Sequence, residues 1–250
     1  MIGLTIVQSV IMLIPDWNGV QGSAEADDID TLLDVMIVLS SFVFAVVIVM
    51  LGYCIYKYRA KPGDESDGKP IHGNTRLEIA WTVIPTVIVL FGAAYSWIVL
   101  DNIEAEAGDQ MPVNITAQQF KWTFEYPESG VVSDEFHVPV DTQLELNLAA
   151  LDVLHSFWVP EWRIKRDLVP IADGNPTDVD NVVRVTPNRE GSYSLICTEL
   201  CGLGHSTMQA SVTVESQEDF DAWIAEQQAA QEESGSTSGE EATAESAAGE

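Results

Sequence analysis

Two cysteines, a histidine and a methionine fall within one short stretch, Cys197-Thr198-Glu199-Leu200-Cys201-Gly202-Leu203-Gly204-His205-Ser206-Thr207-Met208. Three residues separate the cysteines, and three separate Cys201 from His205. A second imidazole, His155, lies upstream in Asp152-Val153-Leu154-His155-Ser156-Phe157-Trp158-Val159-Pro160. Thiolates, a thioether and imidazoles select copper, zinc or iron–sulfur clusters over hard cations. The methionine favours copper, because zinc sites take Cys, His and carboxylate ligands. A mononuclear electron-transfer copper uses two His, one Cys and a weak axial Met, so one thiolate is left over. Two coppers bridged by both thiolates use the whole set. His155 then caps one metal and His205 the other, with Met208 and the backbone carbonyl of Glu199 as weak outer ligands. A Cys197–Cys201 disulfide is the alternative for a domain in an oxidising compartment, but it leaves the flanking His and Met without a role.

The chain has 39 acidic and 11 basic residues and a formal charge of -28. Such a balance argues against a nucleic-acid partner. It fits either a cationic partner or a surface adapted to high salt, where long-range steering is screened. The third cysteine, Cys54, lies in an apolar run and is expected to be buried or lipid-facing.

The elements that must position the ligands follow from patterning. Residues 35–56 and 79–100 are each free of charge over 22 positions. About 20 apolar residues span a hydrocarbon core as a helix, and neither run has the polar face of a buried soluble helix. Two transmembrane helices are expected, over 31–58 and 78–101. The loop between them, 59–77, and its flanks hold Lys57, Arg59, Lys61, Lys69 and Arg76. The excess of bases puts that loop in the cytoplasm, and both termini and the metal-binding domain outside a cell membrane crossed twice. Residues 1–30 begin apolar without a preceding Lys or Arg, which leaves a cleaved signal and a retained segment both open.

From 108 to 216 short alternating runs are broken by Pro, Gly, Asn and Asp. Strands are expected over 113–117, 120–126, 144–149, 182–186, 193–197 and 210–214. With the ligand spacing, this is an all-β, cupredoxin-like Greek-key barrel following a two-helix transmembrane hairpin. Phe120, Trp122, Phe124 and Tyr126 would share one strand face. Phe220, Trp223 and Ile224 recur at helical spacing, so a short helix over 217–230 should cap the barrel. Residues 231–250, with six glutamates and no base, have too little apolar surface to order and should be disordered. His72 and His137 stand outside the ligand set and are read as ordinary histidines.

The pattern C-x-E-x-C-x3-H-x2-M, with D-V-L-H-S-F-W-V-P upstream, closely resembles the cytochrome c oxidase subunit II family and its dinuclear copper A centre. The resemblance covers about residues 30–225, with several separate motifs in the expected order. It implies a membrane-anchored subunit of a haem–copper terminal oxidase. Such a subunit takes electrons from an external one-electron carrier and passes them to haem in the catalytic subunit I, where oxygen is reduced and protons are translocated. The chain itself would hold two copper ions and no oxygen-reduction site.

The resemblance also assigns roles residue by residue. Glu78, in the E-x-x-W-T context Glu78-Ile79-Ala80-Trp81-Thr82, matches a glutamate at the mouth of a proton-uptake path; on physics alone it is a first-turn carboxylate favoured by the helix dipole. Glu199 matches a carboxylate that helps bind magnesium shared with the catalytic subunit. Arg163, Lys165, Arg166 and Asp167 resemble a segment facing that subunit and its haem groups. Phe120 stands where the family has a tryptophan that receives electrons from cytochrome c. The departure puts the donor in question, cytochrome c or a small blue-copper protein, and makes Phe120 and the neighbouring Trp122 the electron-uptake candidates. Rival readings are a quinol-oxidase subunit without copper, a tethered copper-delivery protein and a structural zinc module. The complete Cys197, Cys201, His155, His205 and Met208 set disfavours the first and Met208 the third, while a delivery protein would need neither the Glu78 entrance nor the partner-facing basic run. The copper A domain of nitrous-oxide reductase shares such ligands, and the two-helix anchor favours the oxidase.

Overall fold

A computed structural model of the chain describes residues 2–13, 19–60, 62–63, 65, 67–68, 70–171 and 181–247. Lys61 and Lys69 of the basic loop and positions 248–250 of the tail lie outside the described residues. The chain divides into two units, residues 1–17 with 28–102, and residues 18–27 with 103–250.

The first unit is helical. Helix α1 is Ile2–Leu13, and helices α2 (Glu25–Tyr58) and α3 (Thr75–Ile103) are long and apolar enough to cross a membrane. At 1.5 Å per residue they are about 51 and about 43 Å long, more than the hydrocarbon core requires. Most of their large apolar side chains, Cys54 among the neighbouring positions, are exposed, as a lipid-facing surface requires. Asn74 starts α3 by accepting the Arg76 and Leu77 N–H groups on its side-chain oxygen at 3.1 and 3.3 Å. Pro85 sits inside α3.

The second unit is a two-sheet sandwich. Strands β1 (Gln110–Gln118), β2 (Lys121–Tyr126), β3 (Val131–Ser133), β5 (Gln143–Ala150) and β8 (Val182–Val185) form one sheet in the order β3-β2-β1-β5-β8. Strands β4 (Phe136–Pro139), β6 (His155–Val159), β7 (Ile164–Leu168), β9 (Gly191–Cys197) and β10 (Gln209–Glu215) form the other, β4-β10-β9-β6-β7. Each sheet holds one parallel pair, β1 with β5 and β4 with β10, among antiparallel neighbours, which is the mixed order of a Greek-key cupredoxin-like barrel. Alternation sets the core: Trp122, Phe124 and Tyr126 of β2 face inward with Val113 and Ile115 of β1 and Leu144, Leu146 and Leu148 of β5. Phe124 stacks on Phe136 with ring centroids 4.6 Å apart, which joins the two sheets.

Three expectations are corrected. Phe120 does not share the face of Trp122, because β2 starts at Lys121 and Phe120 sits in the β1–β2 turn. Strands β3, β4, β6 and β7 complete the sheets beyond the six expected. The helix after the barrel, α4, runs over Gln217–Ala247 and so continues through most of the stretch expected to be disordered. Its anchored part is the amphipathic first half. There Phe220 and Trp223 are buried, and the Gln228 and Gln231 side chains donate to the Ser129 and Val132 carbonyls at 2.8 and 3.0 Å. Ala, Glu and Gln at 225–233 are strong helix formers, so the turn pattern begun by the packed face continues without apolar contacts.

A strap ahead of α2 belongs to this unit. The Gly22 N–H donates to the Glu161 carbonyl at 2.8 Å, Ala24 N–H to Thr186 at 2.9 Å, and Asn188 N–H to Gly22 at 3.1 Å. Ser23 donates its hydroxyl to the Trp162 carbonyl and accepts the Ala26 N–H, so it caps the first turn of α2. The Glu25 carboxylate accepts the Thr186 N–H at 3.0 Å.

Candidate metal centre

The ligand residues meet at one end of the sandwich, where β1, β5 and β9 end and β2, β6 and β10 begin. His155 opens β6, Cys197 closes β9, and the loop from 198 to 208 carries the rest before β10. Backbone bonds hold that loop to its neighbours: Thr198 N–H to the Ser156 carbonyl and Cys197 N–H to that of Met208, both 3.1 Å. A single 3-10 turn, His205–Thr207, then brings the Met208 side chain back inward.

The two Sγ atoms are 3.8 Å apart. His155 Nδ1 lies 3.8 Å from Cys197 Sγ, and His205 Nδ1 lies 3.7 Å from Cys201 Sγ, so one imidazole flanks each sulfur. Met208 Sδ is 3.8 Å from Cys201 Sγ, and the Glu199 carbonyl oxygen is 3.4 Å from Cys197 Sγ. His155, both cysteines and Met208 are buried. The His155, Cys197 and Cys201 donor atoms lie within 4.8 Å of one another. A sulfur pair 3.8 Å apart fits within two metal–thiolate bonds of about 2.3 Å, so one metal can touch both. The two imidazoles and the thioether are soft or borderline donors, which suit copper. The residues therefore fit the copper pair expected from the sequence.

Protonation supports the same fit. Burial first, and then the adjacent Cys197 thiol, push the Cys201 thiol up to about 11. Metal uptake at the pair must therefore displace the Cys201 proton. The Asp152 carboxylate lies 2.9 Å from His155 Nε2. Desolvation raises the Asp152 carboxyl, but hydrogen bonds from the Gln119 N–H, the His155 ring and the Val153 N–H outweigh it and hold it below its usual value. An ionised Asp152 fixes the proton on Nε2 and leaves the Nδ1 lone pair for a metal.

The turn before β2 completes the surroundings. Gln119 donates its backbone N–H to Asp152 at 2.7 Å and its side-chain amide to the Cys201 carbonyl. Phe120 lies against the metal loop: a Cβ on Gly204 would stand 2.6 Å from its ring, and one on Gly202 3.2 Å. Glycine is required at both points, and Gly202 also holds φ +136°. Trp122 is buried behind the site, its ring 6.5 Å from that of His155. Phe120 therefore sits at the surface and Trp122 within.

Asp152, Gln119 and the two glycines were not singled out from sequence. The one available signal was a carboxylate three residues before a ligand histidine, a spacing that acquires meaning only when the β5–β6 loop turns it onto Nε2.

The other candidates make contacts of their own. Glu78, in the first turn of α3, accepts the Asn74 N–H at 3.1 Å and so takes part in capping its helix. Arg163, in the left-handed region at φ +60°, donates to the Pro160, Gly19 and Val20 carbonyls and secures the strap. Arg166 pairs with Glu104 at 3.7 Å and Lys165 with Asp167 at 3.7 Å. His72 is exposed, and His137 packs flat on Trp223 with Nδ1 2.9 Å from a Glu215 oxygen.

A barrel of mixed sheets that gathers two thiolates, two imidazoles and a thioether on loops at one end is a cupredoxin-type metal domain, here following a two-helix membrane anchor. The family profile described as cytochrome C oxidase subunit II, transmembrane domain, matches residues 19–99, and that of the periplasmic domain matches residues 131–216. Cytochrome c oxidase subunit 2 of Synechocystis sp. is 32% identical over 88% of this chain and 80% of its own length. That of Thermostichus vulcanus is 31% identical over 88% and 83%. The periplasmic domain of cytochrome oxidase subunit II from Bradyrhizobium japonicum superposes on 50% of this chain and 96% of its own, with a TM-score of 0.43 and 22% identity. The chain belongs to the cytochrome c oxidase subunit II family. It is thus a membrane protein of the haem–copper oxidases, with its β domain on the outer side.

Proposed function

We propose that this chain takes electrons from an external one-electron carrier at a dinuclear copper A centre and hands them to haem in the catalytic subunit. The observation that carries the reading is the buried pair of sulfurs 3.8 Å apart, flanked by one imidazole each. Cys197, Cys201, His155, His205, Met208 and the Glu199 carbonyl would hold the two coppers. The copper pair supplies a one-electron store with little rearrangement between oxidation states. The chain's own part is to hold that store rigid. β6 and β9 fix His155 and Cys197, Asp152 fixes the His155 tautomer, and the buried walls exclude water.

Oxygen reduction and the coupled translocation of protons belong, on this reading, to the catalytic subunit. Glu199 is assigned a share of a magnesium ion at that interface, since its side chain is an oxygen donor next to the centre. Glu78 is assigned the entrance of a proton path. Its exposed position at a helix start on the basic side suits both that role and capping. The basic loop is assigned to the cytoplasm and both termini to the outside.

In membranes carrying the whole oxidase, Cys201→Ser should cut oxygen uptake driven by the external carrier at least about tenfold, because one bridging ligand is lost. A reductant that reaches the haem directly should still support uptake. Carrier-driven uptake at the unaltered rate would refute electron transfer through this site.

A further inference from the structure

The peptide between Cys201 and Gly202 is a point at which the metal loop is weakly fixed by its own residues. Gly202 holds φ +136° and has no Cβ, so its backbone has conformations open to it that other residues lack. The turns that follow are closed within the loop. His205 N–H donates to the Gly202 carbonyl at 3.2 Å, Thr207 N–H to that of Gly204 at 3.0 Å, and Met208 N–H to that of His205 at 3.3 Å. The Cys201 carbonyl is met from outside the loop, by the side-chain amide of Gln119. Although Gln119 is exposed, it is well anchored. Its backbone N–H donates at 2.7 Å to Asp152, the carboxylate that holds His155 Nε2. Its amide lies so close to Gly202 that a Cβ there would stand 2.7 Å from the nitrogen.

That bond bears on which atoms reach the metals. A carbonyl oxygen is a harder donor than sulfur or imidazole, and it suits oxidised copper better than reduced copper. The Glu199 carbonyl already lies 3.4 Å from Cys197 Sγ. A second carbonyl, free to turn in, would bind in one oxidation state and leave in the other. Every electron would then have to move a peptide. An amide that holds the Cys201 carbonyl keeps one ligand set in both states.

We propose that Gln119 is a positioning residue of the centre: its side-chain amide fixes the 201–202 peptide and keeps the Cys201 carbonyl off the metals. The proposal rests on the copper reading above. Gln119 acts through that peptide and not as a ligand. Through its backbone N–H it also shares Asp152 with His155, so one residue joins the loop that carries Cys201 and His205 to the loop that carries the other imidazole.

The test compares the copper-loaded full chain in detergent with two variants. Gln119→Met keeps the length of the side chain and removes the donor. Gln119→His keeps a ring nitrogen donor at the same reach. Gln119→Met should lower the reduction potential of the centre, because an added oxygen ligand stabilises the oxidised state. It should also change the copper hyperfine splitting in electron paramagnetic resonance. Gln119→His, at a pH where the ring is neutral, should keep both at the parent values. Matching circular dichroism melts report an intact barrel in all three chains. A potential and a splitting that Gln119→Met leaves unmoved overturn the assignment alone, and so do equal shifts in both variants. A parent chain that gives no two-copper signal overturns the copper reading and the assignment with it.

Discussion

His155 is held by the nitrogen that faces away from the sulfurs, and that arrangement decides what the other nitrogen can do. Asp152 accepts from Nε2, from the Gln119 N–H and from the Val153 N–H, so one carboxylate orients a ligand and anchors the turn that packs on the metal loop. Replacing it by alanine leaves three donors without their acceptor and the imidazole free to rotate. Asp152→Ala should lower copper affinity about 10- to 100-fold, the usual cost of losing a partner of a ligand, in competition against a chelator. An unchanged affinity would show that the β6 strand alone orients His155. The ligands were legible because they lie in two short stretches whose residue types have few other uses in combination. Asp152 and Gln119 were not, since a carboxylate and an amide are ordinary loop residues until the fold brings them to a ring nitrogen and a carbonyl.

At the scale of elements, the barrel depends on ties between strands that carry no ligand. Tyr126 on β2 donates its hydroxyl to the His137 carbonyl at 2.8 Å and accepts the His137 N–H at 3.0 Å, joining one sheet to β4 of the other. Burial is the main cause that pushes its phenol well above the usual range; the hydrogen bond donated by the His137 N–H lowers it and the Glu215 charge raises it. A folded-state pKa above the unfolded value of about 10 stabilises the protein fully below that pH and loses the contribution as pH rises past it. Tyr126→Phe should therefore cost about 1–3 kcal/mol near neutrality, for the unpaired backbone groups, and flatten the loss of stability above about pH 10. Urea titrations across pH measure both, and a variant as stable and as alkali-sensitive as the parent would contradict this assignment. The strands missed from sequence have physical reasons. β6 is nearly all buried and so shows no alternation, β7 carries Lys165, Arg166 and Asp167, and β3 and β4 are too short to display a period. Phe120 read as the start of β2 because its type fits a strand, whereas contact with Gly202 and Gly204 holds it in the turn.

For the whole molecule, the formal charge of -28 sets the conditions under which it is stable. Like charges at that density repel across a compact surface, and salt screens the repulsion while leaving the core intact. The thermal midpoint should rise between about 0.1 and about 2 M KCl, followed by circular dichroism; a falling midpoint would mean that pairs such as Arg184–Glu106, at 2.8 Å, outweigh the net repulsion. Two apolar helices and a β domain could be laid out from hydropathy and turn residues alone. The strap at 19–26 could not, because its hold on the sandwich is made by backbone groups, Ser23 and Glu25, which no pattern singles out. The central claim is that the two sulfurs bridge two coppers. Electron paramagnetic resonance of the full chain, loaded with copper in detergent, tests it most directly. Hyperfine structure from one unpaired electron shared by two copper nuclei is the expected result. Hyperfine structure from a single copper nucleus would contradict it.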